Sequence, residues 1–486
     1  MSLVKCLIKS EKVGPFHLLT FSLFFVAVLL FFGLAYPHHL HYQEQYQLFL
    51  FDSTYIWEIV KQPGGVADLL GRFCTQFFLF AWVGAFIIAL LLSAVQLLML
   101  RLVAPSNSPQ GGGKGPIPLT FGLSFVPSFL LWLFLLDENA LLGGVWAVLL
   151  TLLAAWTIIS LTKGWIRGIL LLVAIPVLYW LAGPVCLPIP VDSLWSGVHY
   201  YRMPKVFPTL LCAAAISAFA IVLASRVLQK WIKMPNNIIV TLGSFALIAI
   251  VMGHFIWKNA NFKAEKVMEY DFMACHQLWN RIIETINKEK PNNQIGVTVQ
   301  NLALAMHGVL LDHMLEYNQN GIAGLLPDVK EDATSPIPTA EAFYQLGMIN
   351  VAQRTVFEAQ EAILDFQKSG RCYKRLAQTN LINGNYEVAR KYLSALQNTL
   401  FYREWANETL QLLGNEEAIA KHPEYGRLRQ MAYNEDFYFS DHVTPEMLES
   451  LYLRNTDNQI AYQYLMAYYL LTGDREGFIK AKNIKR

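Results

Sequence analysis

The chain has 486 residues, 54% of them hydrophobic and only 15% charged, with a formal net charge of +2. Soluble domains average about 25% charged residues, so the composition excludes an ordinary soluble protein, and the near-neutral balance offers no basic face for nucleic acid. The six cysteines, Cys6, Cys74, Cys186, Cys212, Cys275 and Cys372, are scattered without a CxxC, so neither a zinc site nor a disulfide framework is read from them.

Up to residue 257 the apolar runs are long and charges scarce; beyond it charges of both signs are frequent. Crossing a bilayer as a helix takes about 20 apolar residues. Seven stretches qualify or nearly do: 16–36, 77–100, 117–136, 141–162, 168–187, 207–225 and 238–257. Pro127 interrupts the third, and Pro176 and Pro184 interrupt the fifth, the weakest. Proline is tolerated in a membrane helix whose neighbours satisfy the freed carbonyl. The first stretch is too long for the apolar region of a cleaved signal and lacks a small-residue cleavage site. The predicted fold class is therefore all-α: a seven-helix transmembrane bundle over 1–257, then a soluble helical-repeat domain over 258–486.

Lys and Arg near span ends set orientation. Lys5, Lys9, Lys12, Arg101, Lys114, Lys163, Arg167, Arg226, Lys230 and Lys233 fall on one side; the opposite connections hold only Lys61, Arg72, Arg202 and Lys205. The N-terminus is thus expected in the cytoplasm, and seven crossings put 258–486 outside. The spans contain no Asp, Glu, Lys or Arg, and their histidines, His17 and His254, lie near span ends. Ion-coupled transporters need intramembrane charged relays, so polar chemistry is expected at a membrane face.

The first external loop, 37–76, is the longest connection of this half and carries His38, His39, His41, Glu44, Asp52, Glu58 and Asp68. The i, i+3, i+4 spacing of Gln45, Leu48, Phe49, Asp52, Tyr55 and Ile56 fits short amphipathic helices on the membrane surface. Three readings of the loop stand side by side. Glu44 or Asp52 is a general base or holds a divalent cation; His38 and His41 share a helix face and bind a metal; or the loop is an interfacial belt with solvated acids. The 106–116 stretch, SNSPQGGGKGP, has Gly115 and Pro116 where a phosphate loop needs Ser or Thr after Lys114, so it reads as a flexible linker. The second external loop, 188–206, places Asp192, Trp195, His199, Tyr200, Tyr201, Arg202 and Lys205 at a membrane face. Cations beside aromatics suit a lipid phosphate; an aromatic belt is the alternative.

From residue 259 the period is helical and amphipathic. A pattern recurs: Leu346, Gly347, Asn350 and Ala359; then Leu376, Ala377, Asn380, Gly384, Tyr386 and Ala389; then Leu465, Tyr469, Gly473, Asp474 and Phe478. Small residues let paired helices approach, and Gly384 and Gly473 are expected to end helices in the left-handed conformation. Such arrays present concave surfaces for peptides or proteins. The dense aromatics Phe401, Tyr402, Trp405, Tyr433, Phe437, Tyr438 and Phe439 are expected in the repeat core.

This half looks like a tetratricopeptide-type (TPR-like) array. The first loop resembles that of the GT-C glycosyltransferases in the order Glu44, then Pro63-Gly64, then LLGRF at 69–73. That resemblance implies a transferase taking a sugar from a polyprenyl-phosphate donor, with Glu44 or Asp52 catalytic. His199, Tyr201, Arg202 and Lys205 would then bind substrate, and the repeats would present the acceptor. The whole chain, through phrases such as RLAQTNLINGNYEVARKYL and QYLMAYYLL, also resembles a family of uncharacterised bacterial multi-pass envelope proteins. That implies an inner-membrane location with a periplasmic repeat domain. The alternative function is a non-catalytic scaffold whose repeats bind envelope proteins.

Overall fold

The computed structural model describes residues 15–62, 64–103, 118–162, 208–231, 238–328, 336–363, 367–433 and 443–484, and all regular structure among them is helical. The chain divides into two compact units, Met1–Glu44 with Asp52–Phe262, and Gln45–Phe51 with Lys263–Arg486.

The first unit contains α1 (Pro15–Leu30, extended by a π-turn over Phe31–Ala35), α2 (Pro37–Glu44), α3 (Ser53–Val60), α4 (Gly65–Thr75) and α5 (Ala81–Val103). After these come α6 (Pro118–Leu123), α7 (Val126–Phe134), α8 (Leu142–Leu161), α9 (Thr209–Trp231) and α10 (Ile238–Asn259). Five helices among the described residues are long and apolar enough to cross a membrane: His17–Ala35, Ala81–Val103, Leu142–Leu161, Thr209–Leu228 and Ile239–Asn259. Their apolar length supports membrane association. The fifth expected span, 168–187, lies outside the described residues.

The third expected span differs from the expectation of one continuous helix. It is two short helices, α6 and α7, separated at Ser124 and Phe125. Pro127 stands at the start of α7, where its missing N–H leaves no hydrogen bond unmade. The Ser124 hydroxyl donates to the Phe121 carbonyl at 2.6 Å, and the Gln96 amide of α5 donates to Ser124 Oγ at 3.0 Å. Ser128 Oγ donates to the Leu92 carbonyl at 3.1 Å. At the break Ser124 N donates to the Thr120 carbonyl and Phe125 N to the Gly122 carbonyl, while Gln96 and Ser128 tie the break to α5.

Close packing inside this unit is set by glycine where α4 crosses α8. A Cβ on Gly71 would meet the Gly143 nitrogen at 2.4 Å, so the two backbones touch there.

The second unit is a series of helical hairpins. Its helices are α11 (Phe262–Cys275), α12 (Trp279–Glu289), α13 (Gln294–Met306), α14 (Leu310–His313), α15 (Pro336–Leu346), α16 (Ile349–Ala362), α17 (Gly370–Ile382) and α18 (Tyr386–Gln397). They continue with α19 (Arg403–Leu412), α20 (Glu416–Lys421), α21 (Tyr425–Met431), α22 (Pro445–Arg454), α23 (Gln459–Thr472) and α24 (Arg475–Ile484). Gly384 and Gly473 turn between paired helices at φ +79 and +72 degrees, as the sequence predicts. Side-chain caps start several helices: Ser369 accepts from Cys372 N, Asn415 from Ala418 N and Asn458 from Ala461 N. The fully buried Asn458 also donates to the Leu346 carbonyl at 2.8 Å, tying α23 to the end of α15. Phe343, Tyr344, Tyr425 and Tyr464 fill the core.

Candidate functional site: a held segment and a buried ion network

The segment Gln45–Phe51 belongs by its contacts to the helical-hairpin unit, although it comes from the first loop. The spacing of Gln45, Leu48 and Phe49 predicts a surface helix; the structure has no helix over 47–52. The reason is local. Two of the segment's backbone donors, Leu48 N and Phe51 N, are taken by other parts of the unit instead of by an i→i−4 ladder.

Gln360 prepares one of those acceptors. Its Nε2 donates to the Gln367 carbonyl and its Oε1 accepts from Ser369 N, both at 2.9 Å. This fixes the turn into α17, and the Lys368 carbonyl inside that turn accepts from Leu48 N at 2.8 Å. The second acceptor is the carbonyl of Asn398, the residue that ends α18, which accepts from Phe51 N at 2.7 Å. Carbonyls at a helix C-terminus have no partner within the helix, so Phe51 fills a position the fold leaves open.

Leucines supply the apolar grip. Leu48 is buried with Ala377, Leu393, Leu396 and Ala406, and Leu50 packs against the same cluster. Tyr402 and Trp405, expected in the repeat core, also pack around it, whereas Phe437, Tyr438 and Phe439 lie outside the described residues. Gly370 gives Tyr402 its place, since a Cβ there would meet the ring at 2.6 Å.

Beneath the start of the segment lies a charged cluster. Arg371 and Arg375 stand one turn apart on α17, Asp271 on α11 and Glu341 on α15. Arg371 makes a bidentate pair with Asp271 at 2.6 and 2.9 Å and reaches Glu341 at 3.3 Å. Arg375 donates to the other Glu341 oxygen at 2.6 Å and lies 3.6 Å over the Tyr344 ring. Burial opposes ionisation of Glu341, but the Arg375 and Arg371 guanidiniums outweigh it and hold the carboxyl below its ordinary range. Two cations thus balance two anions in a dry interior, the condition under which buried charge is tolerated. Arg371 Nη1 also donates to Gln45 Oε1, at the long distance of 3.4 Å.

The other expected site residues are placed as follows. Glu44 is the last residue of α2 and is buried. Its helix is fixed by His39, whose Nε2 contacts the Leu135 carbonyl at 2.9 Å, and by Gln43, which donates to the Ala140 carbonyl at 3.1 Å. Burial pushes the His39 pKa down to about 4. The His38 and His41 rings lie 5.7 Å apart. Asp52 caps α3, accepting from Tyr55 N at 3.0 Å, a position that favours Asp on structural grounds alone. His199, Tyr201, Arg202, Lys205 and the linker lysine Lys114 lie outside the described residues. Among the described residues no three His, Cys, Asp or Glu side chains gather to hold a metal.

Sequence reasoning missed the ion cluster and the held segment, because their partners are 100 and 326 residues apart. The one local signal is the pair Arg371 and Arg375, one turn apart on the same face of α17.

No curated protein and no solved structure matches the chain. Residues 14–485 match the model of a family described as "Family of unknown function (DUF6057)". The chain belongs to that family of unknown function.

Proposed function

We propose that this protein is a membrane-anchored scaffold whose hairpin unit, a TPR-like array, holds non-helical protein segments. One observation carries the reading: Gln45–Phe51 sits in that unit through two backbone hydrogen bonds and a buried leucine. Backbone bonds give affinity and side-chain pockets give selectivity, a recurring mode of peptide recognition. The Lys and Arg distribution supports a cytoplasmic N-terminus and an extracytoplasmic hairpin unit, in a bacterial inner membrane by the family resemblance. A reporter fused after Lys258 should then be active only outside the cytoplasm.

The test compares proteins that co-purify with the full-length chain and with its Leu393→Asp variant. The scaffold reading expects a defined set of envelope proteins that the variant loses. An identical set from both chains would refute it.

Burial of Glu44 in the first loop supports a second reading, a GT-C-like transferase using a polyprenyl-phosphate sugar and a divalent cation. Glu44 or Asp52 would act as base or metal ligand, and His199, Tyr201, Arg202 and Lys205 would hold the donor. Loss of an envelope glycan on Glu44→Gln substitution, with co-purifying proteins unchanged, would favour it over the scaffold.

A further inference from the structure

We infer that Gln45–Phe51 is a deliberately weak latch, displaced by a partner protein's non-helical segment that carries leucines like Leu48 and Leu50 and an apolar side chain in place of Gln47. The inference rests on the scaffold reading and adds what the unit selects.

Gln47 is only 2% exposed, and its Nε2 finds no acceptor among the described residues. A buried amide donor without an acceptor loses its water and regains nothing. Gln45 adds little on the other side of the segment. Its contact with Arg371 is 3.4 Å long, and Arg371 is already engaged by Asp271 and Glu341. The two leucines, the buried Phe49 and the two backbone bonds hold the segment, and the orphan Gln47 donor subtracts from that hold. The covalent tether compensates, because a segment in the same chain is present at a high effective concentration, on the order of millimolar for a short flexible connection. A ligand arriving in trans lacks that advantage. It must bind more tightly by its own chemistry, and the position of Gln47 is where chemistry is left to gain. Methionine there keeps the length and volume of glutamine and removes the orphan donor.

The experiment uses the full-length chain in detergent in three forms: wild type, Gln47→Met and Leu48→Asp. The probe is a fluorescein-labelled peptide of the 45–51 sequence with Met at the Gln47 position and lysines appended for solubility. Leu48→Asp opens the latch and should bind the probe most tightly. Wild type should bind it more weakly, and Gln47→Met more weakly still by about tenfold, the equivalent of 1.4 kcal/mol. Amide exchange reads the latch without any probe. Exchange at the Leu48 and Phe51 amides should slow about tenfold in Gln47→Met and should speed up in wild type when the probe is added.

The outcomes separate the inference from the reading beneath it. If Gln47→Met leaves both probe binding and amide exchange as in wild type, the latch is not weakened at Gln47 and the inference is overturned. If Leu48→Asp melts like wild type yet binds no probe, the segment-holding reading fails and takes the inference with it. Should Leu48→Asp fold poorly, the conservative Gln47→Met exchange comparison decides by itself.

Discussion

Both units are helical, but they differ in how much large apolar surface they expose and in what their buried polar groups do. In the first, large apolar side chains face outward, with Leu161 79% and Ile239 76% exposed. Gln96, Ser124 and Ser128 are buried around the broken helix. In the second, the aromatic and aliphatic interior also holds buried amides such as Asn301 and Asn458 and one charge-balanced cluster. An extended outward apolar surface favours lipid, and the inward polar groups there tie a broken helix to its neighbour α5. A paired buried charge cluster adds little net stability over apolar packing, whereas removing one partner is costly. The outward apolar surface of the first unit, rather than its secondary structure, is what marks it for a membrane.

The largest expected effect breaks the charge cluster. Arg371→Ala leaves Asp271 buried without its bidentate partner and should destabilise the hairpin unit by about 3–5 kcal/mol, read by denaturant unfolding of the full chain. The two units should also respond to acid in different windows. Glu341 is held below its ordinary value of 4.5, so its contribution is complete above that pH and drains as pH falls beneath it. His39 is held neutral, with its pKa lowered from 6.5 to about 4. The unfolded chain therefore takes up that proton first, and the first unit loses stability from pH 6.5 down to about 4. Amide exchange resolved by unit should show the first unit loosening before the second. Simultaneous loosening would show that these groups do not control it.

The next expected effect tests the two solvents directly. Ile250 on α10 and Ile479 on α24 are both exposed, at 72% and 60%. Aspartate in the middle of a membrane helix costs roughly 2.5–3.5 kcal/mol of insertion free energy, so Ile250→Asp should lower the membrane-integrated fraction. Ile479→Asp should stay within about 0.5 kcal/mol of wild type, as surface substitutions do. Equal tolerance at both positions would mean that α10 does not face lipid. Gly71→Val tests packing inside the first unit. It forces a side chain into the Gly143 backbone and should cost about 1–3 kcal/mol, the range for overpacking.

Much of this was readable because the signal is local. A run of some 20 apolar residues is its own evidence for a helix of membrane length, and Gly384 and Gly473 at hairpin ends announce a positive φ. The break at Ser124 was not readable, because Pro127 looks the same inside a kinked helix as at the start of a new one. Its meaning depends on Gln96, one helix away. The held segment was misread for a related reason. Leu48 and Phe49 have helical spacing with Gln45 and Asp52, but the carbonyls that accept from the segment belong to Lys368 and Asn398. The Arg371–Asp271 pair likewise joins residues that no local pattern connects. Asp52 was legible as an acid and ambiguous in role, since a capping aspartate and a catalytic one present the same side chain.

The smallest expected effect separates backbone conformation from packing at the hairpin turns. Gly473 has φ +72 degrees, and a Cβ there would meet nothing within 4 Å. Gly473→Ala should therefore register only the conformational cost of a left-handed alanine, about 1–2 kcal/mol. Some of that is offset because alanine also restricts the unfolded chain, by roughly 0.4–1 kcal/mol. The net loss should be no more than about 1.6 kcal/mol. Gly347, between α15 and α16, has φ +90 degrees, but its Cβ would meet Met431 Cβ at 3.0 Å and the Met431 carbonyl oxygen at 3.1 Å. Gly347→Ala carries the same conformational cost and must also push α21 outward, so it should lose clearly more. Equal losses would mean that Met431 yields freely, and the turn after α15 would then be held by conformation alone, as the turn after α23 is.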